Sequence, residues 1–299
     1  MLVIPAFAKI NLALEVTRRR EDGWHDIESV LVPIDWHDLV GVRLAHDESR
    51  LRVTGVMRAG IPGGGGYARP ADNLVVRAGA MLLEATAASG VCFDMWLEKR
   101  VPVAGGLGGG SADAAGMLRS GQHLLRRIGL HIAPEQLRAA AALLGSDVPA
   151  LLSRRAVLVS GRGEQLAAID VPQLHLVVAF LGPSSTRDAY HALQPDELSD
   201  GGRVAHLAAA LAAGEPVPDG ELGSALEAPA LRVSPELGRA ALELWDATPG
   251  VRWHMTGSGG CFFAVVRDRP AADELARRLR DRNLVARACR TLAPNAAAS

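Results

Sequence analysis

Hydrophobic residues follow two different patterns along the chain, and together the patterns predict a mixture of strands and helices. Residues 1–60 contain short runs rich in β-branched residues, whose partial alternation of apolar and polar positions predicts strands of a mixed sheet. These runs are FAKINLALEV, SVLVPI, DLVGVRL and RLRVTGV. Apolar residues at helical spacing predict helices over NLVVRAGAMLLEATAA, SADAAGMLRSGQHLLRRIG and PEQLRAAAALLG. Asp72 is predicted to cap the first of these helices, and the preceding stretch IPGGGGYARP to form a surface loop.

The second half of the chain continues the mixture. Further apolar runs predict strands at VCFDMWLEKRV, AVLVSGRGE, LHLVVAFLG and LVARACR. Ala- and Leu-rich segments over 203–247, and the segment DRPAADELARRLRDR, predict helices, while a glycine turn in HMTGSGGCFFAVV leads into another strand. Because LHLVVAFLG has the character of a buried strand that opens a second half, we expect two domains, over 1–160 and 161–299.

Composition narrows the class of protein. The 299 residues carry a formal net charge of −1 at pH 7, so nothing indicates a nucleic acid or an anionic membrane surface as partner. Cys92, Cys261 and Cys289 form neither a disulfide framework nor a metal-ligand spacing, which favours a reducing, cytoplasmic location. The segment MLVIPAFAKINLALEV lacks the features of a signal peptide, and no run reaches the roughly 18 apolar residues of a membrane helix.

Lysine occurs only at Lys9 and Lys99, whereas arginine is abundant. Lysine and arginine are not interchangeable, because lysine provides a compact ammonium group. The two positions are therefore candidates for sites that need such a group. Chance retention of a surface lysine is the alternative at each.

One glycine-rich segment, VPVAGGLGGGSADAA over 101–115, lies between a predicted strand and a predicted amphipathic helix. Glycine lets backbone N–H groups approach a ligand, and a helix N-terminus favours an anion. The segment therefore predicts a phosphate site, with a linker or a tight turn as the alternative. A Walker loop is excluded because Ser111 follows Gly110 without a lysine. Ser111 also breaks the dinucleotide spacing, and no HRD or DFG motif follows as in protein kinases.

Three motifs in order resemble those of the GHMP kinases, a family of small-molecule kinases. They are AKINLALEV (8–16), the glycine loop with its Pro102, and MTGSGGCFFAVV (255–266). With DGWHDIES (22–29) and GSDVP (145–149), the set is similar to the members whose substrate is an alcohol carrying a cytidine diphosphate. The resemblance implies an α+β, two-lobed fold, with an N-terminal ribosomal-protein-S5-domain-2-like lobe and a C-terminal ferredoxin-like α/β lobe.

The resemblance also implies an ATP-dependent kinase that is cytoplasmic and either a monomer or a weak homodimer. Its cofactor would be ATP with Mg²⁺, and the ion would be held mostly by phosphates and water rather than by protein ligands. Two alternatives stay open. The chain could be another GHMP kinase, acting on a mevalonate-type substrate or homoserine, or an inactive nucleotide-binding module.

The family pattern assigns Lys9 and Asp147 as catalytic residues, with Asp147 as the base that accepts a hydroxyl proton. A turn or helix-cap role is the alternative for Asp147. The residues implied in ATP binding are Lys99, Pro102, Val103, Ala104, Gly105, Gly106, Leu107, Gly108, Gly109, Gly110, Ser111 and Ala112. A solvated lysine is the alternative for Lys99. Asn73, which the family has near the nucleotide, is better explained as a helix start.

The residues implied in substrate binding are Asn11, Trp24, His25, Ser185, Thr186 and Tyr190. An aromatic face can stack on a cytosine, and a histidine can stack or bond to the base edge; an ordinary surface histidine is the alternative for His25. The chain departs from the family at Trp24, usually Tyr, and at Ala112, usually a second Ser. Ser224 and Ala225 replace a polar pair, and Asp113 stands where relatives have Asn or Asp.

Overall fold

The computed structural model describes residues 1–57 and 72–292, so the predicted surface loop IPGGGGYARP lies outside the described residues. The chain forms two compact units that interleave along the sequence. The first takes its residues from Met1–Ala8, Trp36–Val103 and Gly108–Ser153, and the second from Lys9–Asp35, Ala104–Leu107 and Arg154–Ser299. The predicted domain boundary at residue 160 stays a prediction.

The first unit is a sheet covered by helices. Its strands are β1 (Leu2–Arg19) and β2 (His25–Ala45), each in part, with β3 (Arg50–Thr54) and β4 (Cys92–Glu98). Their order is β3-β4-β2-β1, with β2 antiparallel and β3 parallel to β4. The helices are α1 (Leu74–Ala85), α2 (Gly109–Arg127), α3 (Pro134–Leu144) and α4 (Val148–Ser153). The apolar faces of helices and sheet meet in one core that includes Val40, Leu82, Phe93 and Met117.

The second unit contains two groups of strands. In one group β8 (Gly223–Ser224) pairs with β1, β5 (Val157–Ser160) with β2, and β6 (Gln165–Ala168) with β5. The other is a four-stranded antiparallel sheet in the order β11-β7-β10-β9. Its strands are β7 (His175–Phe180), β9 (His254–Met255), β10 (Cys261–Val266) and β11 (Val285–Arg290).

The helices of the second unit are α5 (Thr186–His191), α6 (Gly202–Ala212), α7 (Glu227–Val233), α8 (Pro235–Ala247) and α9 (Arg269–Arg280). Short 3₁₀ turns lie at Pro195–Glu197 and Asp219–Glu221. The core of this unit includes Phe262 of the four-stranded sheet and the buried leucines Leu244 and Leu279 of the covering helices. Among the residues that the structure describes, no helix is long and apolar enough to cross a membrane.

The prediction of separate strands at SVLVPI and DLVGVRL is wrong, because both belong to the single 21-residue strand β2. Pro33 lies inside this strand although proline cannot donate to a sheet. It is tolerated because the residues of β2 paired with β5 end at Leu31, and those paired with β4 begin at Leu39. Local pattern cannot reveal such continuity, since each half of β2 takes a different partner.

The helix predictions are confirmed with small shifts at their ends. The first helix is capped by Asn73, whose Oδ1 accepts from the N–H of Val75 at 2.9 Å. The predicted Asp72 cap is therefore wrong by one residue, while the interpretation of Asn73 as a helix start is confirmed. α2 begins at Gly109, two residues before the predicted start at Ser111, because Gly108 takes the left-handed conformation and serves as its N-cap.

Candidate functional site

Lys9 lies on β1 with its ammonium group held inside the second unit. The side chain is only 4% exposed, and its Nζ donates a 2.7 Å hydrogen bond to Oδ1 of Asn11. The backbone N–H of Asn11 donates to Oγ1 of Thr256 at 2.7 Å, and its Nδ2 donates to Oγ of Ser29 at 2.7 Å. A buried cation needs such polar partners, because burial without them is costly. The alternative of a surface lysine at this position is therefore wrong.

The second glycine turn packs directly on this group. A Cβ added to Gly257 would lie 3.3 Å from Nζ of Lys9 and 3.2 Å from the carbonyl oxygen of Gly106. Gly106 itself has a φ of +76°, and a Cβ there would lie 2.5 Å from the carbonyl oxygen of Thr256. Only glycine permits this backbone-to-backbone approach. Three motifs of the sequence therefore meet around Lys9 in this unit: AKINLALEV, the first half of the glycine loop, and MTGSGGCFFAVV.

The first half of the glycine loop is fixed by backbone hydrogen bonds. The carbonyl oxygen of Ala104 accepts from the N–H of Ser184, and that of Leu107 accepts from the N–H of Lys9, both at 3.0 Å. Gly105 lies against Cys261, whose buried thiol has a raised pKa because burial disfavours the thiolate. This half of the loop is therefore a rigid backbone segment rather than a linker.

The second half of the loop starts helix α2 in the first unit. Within the described residues no side chain caps this helix, and the first N–H groups of a helix have no acceptor in the helix itself. Ser111 lies in the first turn, with its Oγ 3.8 Å from the position that a Cβ of Gly145 would take. The uncapped turn, with a hydroxyl beside it, has the properties of an anion site. The predicted role of Gly108–Ala112 stays a prediction.

Lys99 lies at the end of β4 with its Nζ buried between two carboxylates of the first unit. It forms ion pairs with Asp38 of β2 and, at 2.7 Å, with Asp113 of α2. The alternative of a solvated lysine is wrong, because the residue is only 3% exposed. A Cβ on Gly109 would lie 3.4 Å from its Nζ. Lys99 therefore packs against the first turns of α2 and stabilises its start. Its contact with a nucleotide stays a prediction.

The electrostatics of this cluster are unbalanced, with two carboxyl groups and one ammonium group. Burial raises the pKa of Asp113 to about 7, with Lys99 opposing and Asp38 adding to the shift. The pKa of Lys99 is raised, because the two carboxylates outweigh the opposing effect of burial. Oδ1 of Asp113 has no hydrogen-bond partner among the described residues, which agrees with a carboxyl group that gives up its charge first.

Asp147 lies in the turn between α3 and α4. Its carbonyl oxygen accepts from the N–H of Leu151, and this hydrogen bond lies at the start of α4. Asp147 is half-buried. It belongs to the first unit and Lys9 to the second. The predicted catalytic partnership of the two residues stays a prediction.

The aromatic residues predicted for substrate binding lie in the second unit, and two are in contact. The rings of His25 and Tyr190 have centroids 5.1 Å apart and are tilted by 33°. Trp24 is 57% exposed, and the guanidinium of Arg162 lies 5.7 Å from its ring centroid. The pKa of His25 is lowered, chiefly by burial and further by the nearby charge of Arg19, which favours a neutral imidazole near pH 7.

The remaining predicted residues have local structural partners. Oγ of Ser185 accepts from the N–H of Asp188 and caps α5, while Thr186 and Ser258 share a 2.6 Å hydroxyl contact. The side chain of Asn11 is engaged with Lys9 and Ser29. Its predicted contact with substrate stays a prediction, and its observed role is to join Lys9 to Ser29.

Three residues that support the site were not predicted. They are Asp38, Ser29 and Thr256, each of which is at most 1% exposed. Asp38 lies 61 positions from its partner Lys99. The sequence did not distinguish Asp38 from the other carboxylates of β2, Asp26, Glu28 and Asp35. Ser29 and Thr256 lay within the motifs, but nothing in the sequence indicated their hydrogen-bond partners.

Comparison with known proteins was decisive for the family. The model of the GHMP kinases N terminal domain matches residues 73–155, and that of the GHMP kinases C terminal matches 199–284. A protein from Parvibaculum lavamentivorans named 4-diphosphocytidyl-2-C-methyl-D-erythritol kinase is 37% identical over 284 residues, which cover 91% of this chain and 90% of that protein. This chain belongs to the 4-diphosphocytidyl-2-C-methyl-D-erythritol kinase family of the GHMP kinases.

Solved structures agree with the membership of this family. The crystal structure of a 4-(cytidine 5'-diphospho)-2C-methyl-D-erythritol kinase is 33% identical, with a TM-score of 0.78 over 97% of this chain and 99% of that one. The L. major mevalonate kinase has a TM-score of 0.69 over 98% and 96%, but only 15% identity, so it shows the shared fold alone. The expected two-lobed α+β fold of GHMP kinases is confirmed.

Proposed function

We propose that this chain transfers the γ-phosphoryl group of ATP to the 2-hydroxyl of 4-diphosphocytidyl-2-C-methyl-D-erythritol, a step of the non-mevalonate pathway to isoprenoid precursors. The likeness to named relatives over nine-tenths of the chain supports this substrate. One observation of the structure carries the chemistry: a buried ammonium, Lys9, fixed by Asn11 and bordered by the glycine turn at Gly257. Phosphoryl transfer needs fixed positive charge where negative charge develops.

In this proposal Asp147 accepts the proton of the attacking hydroxyl, and Lys9 stabilises the charge that develops on the reacting oxygens. The N-terminal turn of α2 and Ser111 bind phosphate oxygens of ATP. Trp24, or the contacting pair of His25 and Tyr190, provides aromatic surface for the cytosine ring. A neutral His25 can bond to the base edge without adding charge.

Among the described residues no group of three or more His, Cys, Asp or Glu side chains is placed to hold a metal ion. In this proposal Mg²⁺ would be held mostly by phosphates of the nucleotide and by water, and would neutralise phosphate charge. The groups that would hold the ATP phosphates are the backbone N–H groups at the start of α2 and the hydroxyl of Ser111. We further propose a cytoplasmic location and a monomer or weak homodimer.

The direct test is ADP release, measured with Mg²⁺-ATP and each of three alcohols. Turnover with the cytidyl alcohol, and none with mevalonate or homoserine, is expected. CMP or CDP should inhibit this turnover by competing with the cytidyl alcohol. Turnover with mevalonate or homoserine alone would overturn the substrate, while ATP binding without any turnover would favour an inactive nucleotide-binding module.

Asp147→Asn tests the assignment of the base. We expect ATP binding to be retained and kcat to fall by at least about 10²-fold, as is typical for loss of a general base. Asp47, an exposed carboxylate in the turn after β2, provides the matched control, since Asp47→Asn should leave kcat unchanged. Nearly normal turnover of the Asp147 variant would show that another group accepts the proton.

A further inference from the structure

A chain of buried hydrogen bonds runs from a backbone carbonyl to the ammonium of Lys9. Oγ of Ser29 donates to the carbonyl oxygen of Ala13 at 2.6 Å, and Nδ2 of Asn11 donates to Oγ of Ser29 at 2.7 Å. Oδ1 of Asn11 then accepts from Nζ of Lys9 at 2.7 Å. Ser29 is 1% exposed, and Asn11 and Lys9 are each 4% exposed, so water does not replace these contacts freely.

The direction of every bond in this chain is fixed from both ends. A backbone carbonyl can only accept, so the single hydroxyl hydrogen of Ser29 is used on Ala13. The oxygen of Ser29 must therefore accept from the amide nitrogen of Asn11. An ammonium group can only donate, which requires the amide oxygen of Asn11 to face Lys9. The two constraints demand the same orientation of one carboxamide.

A flipped carboxamide would place the NH₂ group of Asn11 against the ammonium of Lys9, and its oxygen against a hydroxyl with no hydrogen to give. Both contacts would pair like with like in a buried environment, which is costly. The backbone of Asn11 is already fixed by its N–H bond to Thr256, so rotation of the side chain is the freedom that remains. Ser29 removes that freedom.

We propose that Ser29 is a positioning residue for Lys9, acting through Asn11 without touching the substrate. Its hydroxyl selects the amide orientation that holds the Lys9 ammonium beside the glycine turn at Gly257. The effect on phosphoryl transfer rests on the function proposed above. The effect on Lys9 itself does not, because it can be measured in the free protein.

The scarcity of lysine makes Lys9 directly observable. With lysine labelled at ¹³Cε and ¹⁵Nζ, the protein should give two side-chain signals, since Lys9 and Lys99 are the only lysines. Lys99 has different partners, Asp38 and Asp113, so it acts as an internal reference. The variant Asp113→Asn changes a partner of Lys99 and thereby assigns the two signals.

In Ser29→Ala we expect the Lys9 signal to shift or broaden while the Lys99 signal stays in place. We also expect kcat to fall at least about tenfold, with the KM for ATP within about twofold of the parent, because misplacement of a charged group acts on the transition state. Ser120→Ala is the matched control. Ser120 is equally buried, and its hydroxyl has no partner among the described residues, so neither signal nor kcat should change.

Ser29→Cys keeps the side chain near its original volume while weakening both hydrogen bonds, and an intermediate shift and rate are expected. It keeps the test decisive if the alanine variant does not fold. An unmoved Lys9 signal in folded Ser29 variants would overturn the proposal, whatever the substrate proves to be. A moved Lys9 signal in a protein that turns over none of the three alcohols would sustain the positioning role and count against the proposed function instead.

Discussion

Asp113→Asn should stabilise the protein at neutral and alkaline pH but not in acid. Asp113 of α2 is almost completely buried and shares the ammonium of Lys99 with Asp38. Asp38 is the better satisfied of the two carboxylates, since it also accepts from the backbone N–H groups of Arg100 and Val101. Oδ1 of Asp113 has no partner in the described part of the chain. Asparagine keeps an oxygen for Lys99 and removes the surplus negative charge.

The size of the effect follows from the pKa of Asp113, which burial raises from 3.8 to about 7. Below the lower value the carboxyl group is protonated in both states and contributes no pH dependence. Between the two values the unfolded chain ionises while the folded protein keeps its proton, so stability falls as pH rises. Above about pH 7 the loss is complete. A shift of about three pK units corresponds to about 4 kcal/mol as an upper value.

The assay is urea unfolding of parent and Asp113→Asn at several values between about pH 4 and about pH 8. The free energy of unfolding of the variant, minus that of the parent, should rise across this range by up to about 4 kcal/mol. The raised pKa of Lys99 lies above the range and does not interfere. For the exposed control Asp47→Asn the same difference should stay flat.

A flat difference for Asp113→Asn would refute the reasoning, because it would mean that Asp113 has the same pKa in both states. A difference that falls with rising pH would refute it more strongly. The ionised carboxylate would then stabilise the fold, and the surplus charge would have to be compensated by a group outside the Lys99 cluster.

Two further predictions concern single contacts. Gly106→Ala should lower the free energy of unfolding by at least about 3 kcal/mol and abolish turnover, because its Cβ would lie 2.5 Å from the carbonyl oxygen of Thr256. Gly129 also has a positive φ, but nothing lies within 4 Å of an added Cβ, so Gly129→Ala should cost only about 1 kcal/mol. Equal losses for the two variants in thermal unfolding would contradict the argument. Asn73→Ala should cost about 1 kcal/mol through loss of the α1 cap and leave the KM for ATP unchanged, whereas a raised KM with unchanged stability would place Asn73 at the nucleotide instead.

The sequence was sufficient for features that depend on neighbouring residues. The strand, glycine loop and helix around residues 92–127 were predicted in order, because periodicity and glycine content are local signals. The suggestion that lysine was kept where a compact ammonium is needed is supported at both positions, since Lys9 and Lys99 are each almost fully buried against polar partners.

Features that depend on distant residues could not be predicted. Asp38 is the partner of Lys99 across 61 positions, and β2 contains other carboxylates from which its sequence does not distinguish Asp38. Thr256 accepts from Asn11 across 245 positions, and no local pattern indicates that contact. The motif AKINLALEV indicates that Asn11 matters, but not that its side chain joins Lys9 to Ser29. The contact of Asn11 with substrate stays a prediction.

The glycine loop combines two tasks that have opposite backbone requirements. From Ala104 to Leu107 its carbonyl groups accept from Ser184 and Lys9, and close packing against the Thr256 turn allows no side chain at Gly106. These contacts fix the backbone of the first half through its carbonyl groups. From Gly108 onward the chain enters α2, where no side chain caps the first turn in the described residues. The N–H groups of that turn have no acceptor within the helix and are therefore suited to phosphate, whereas substitutions in the first half should damage the site by displacing Lys9.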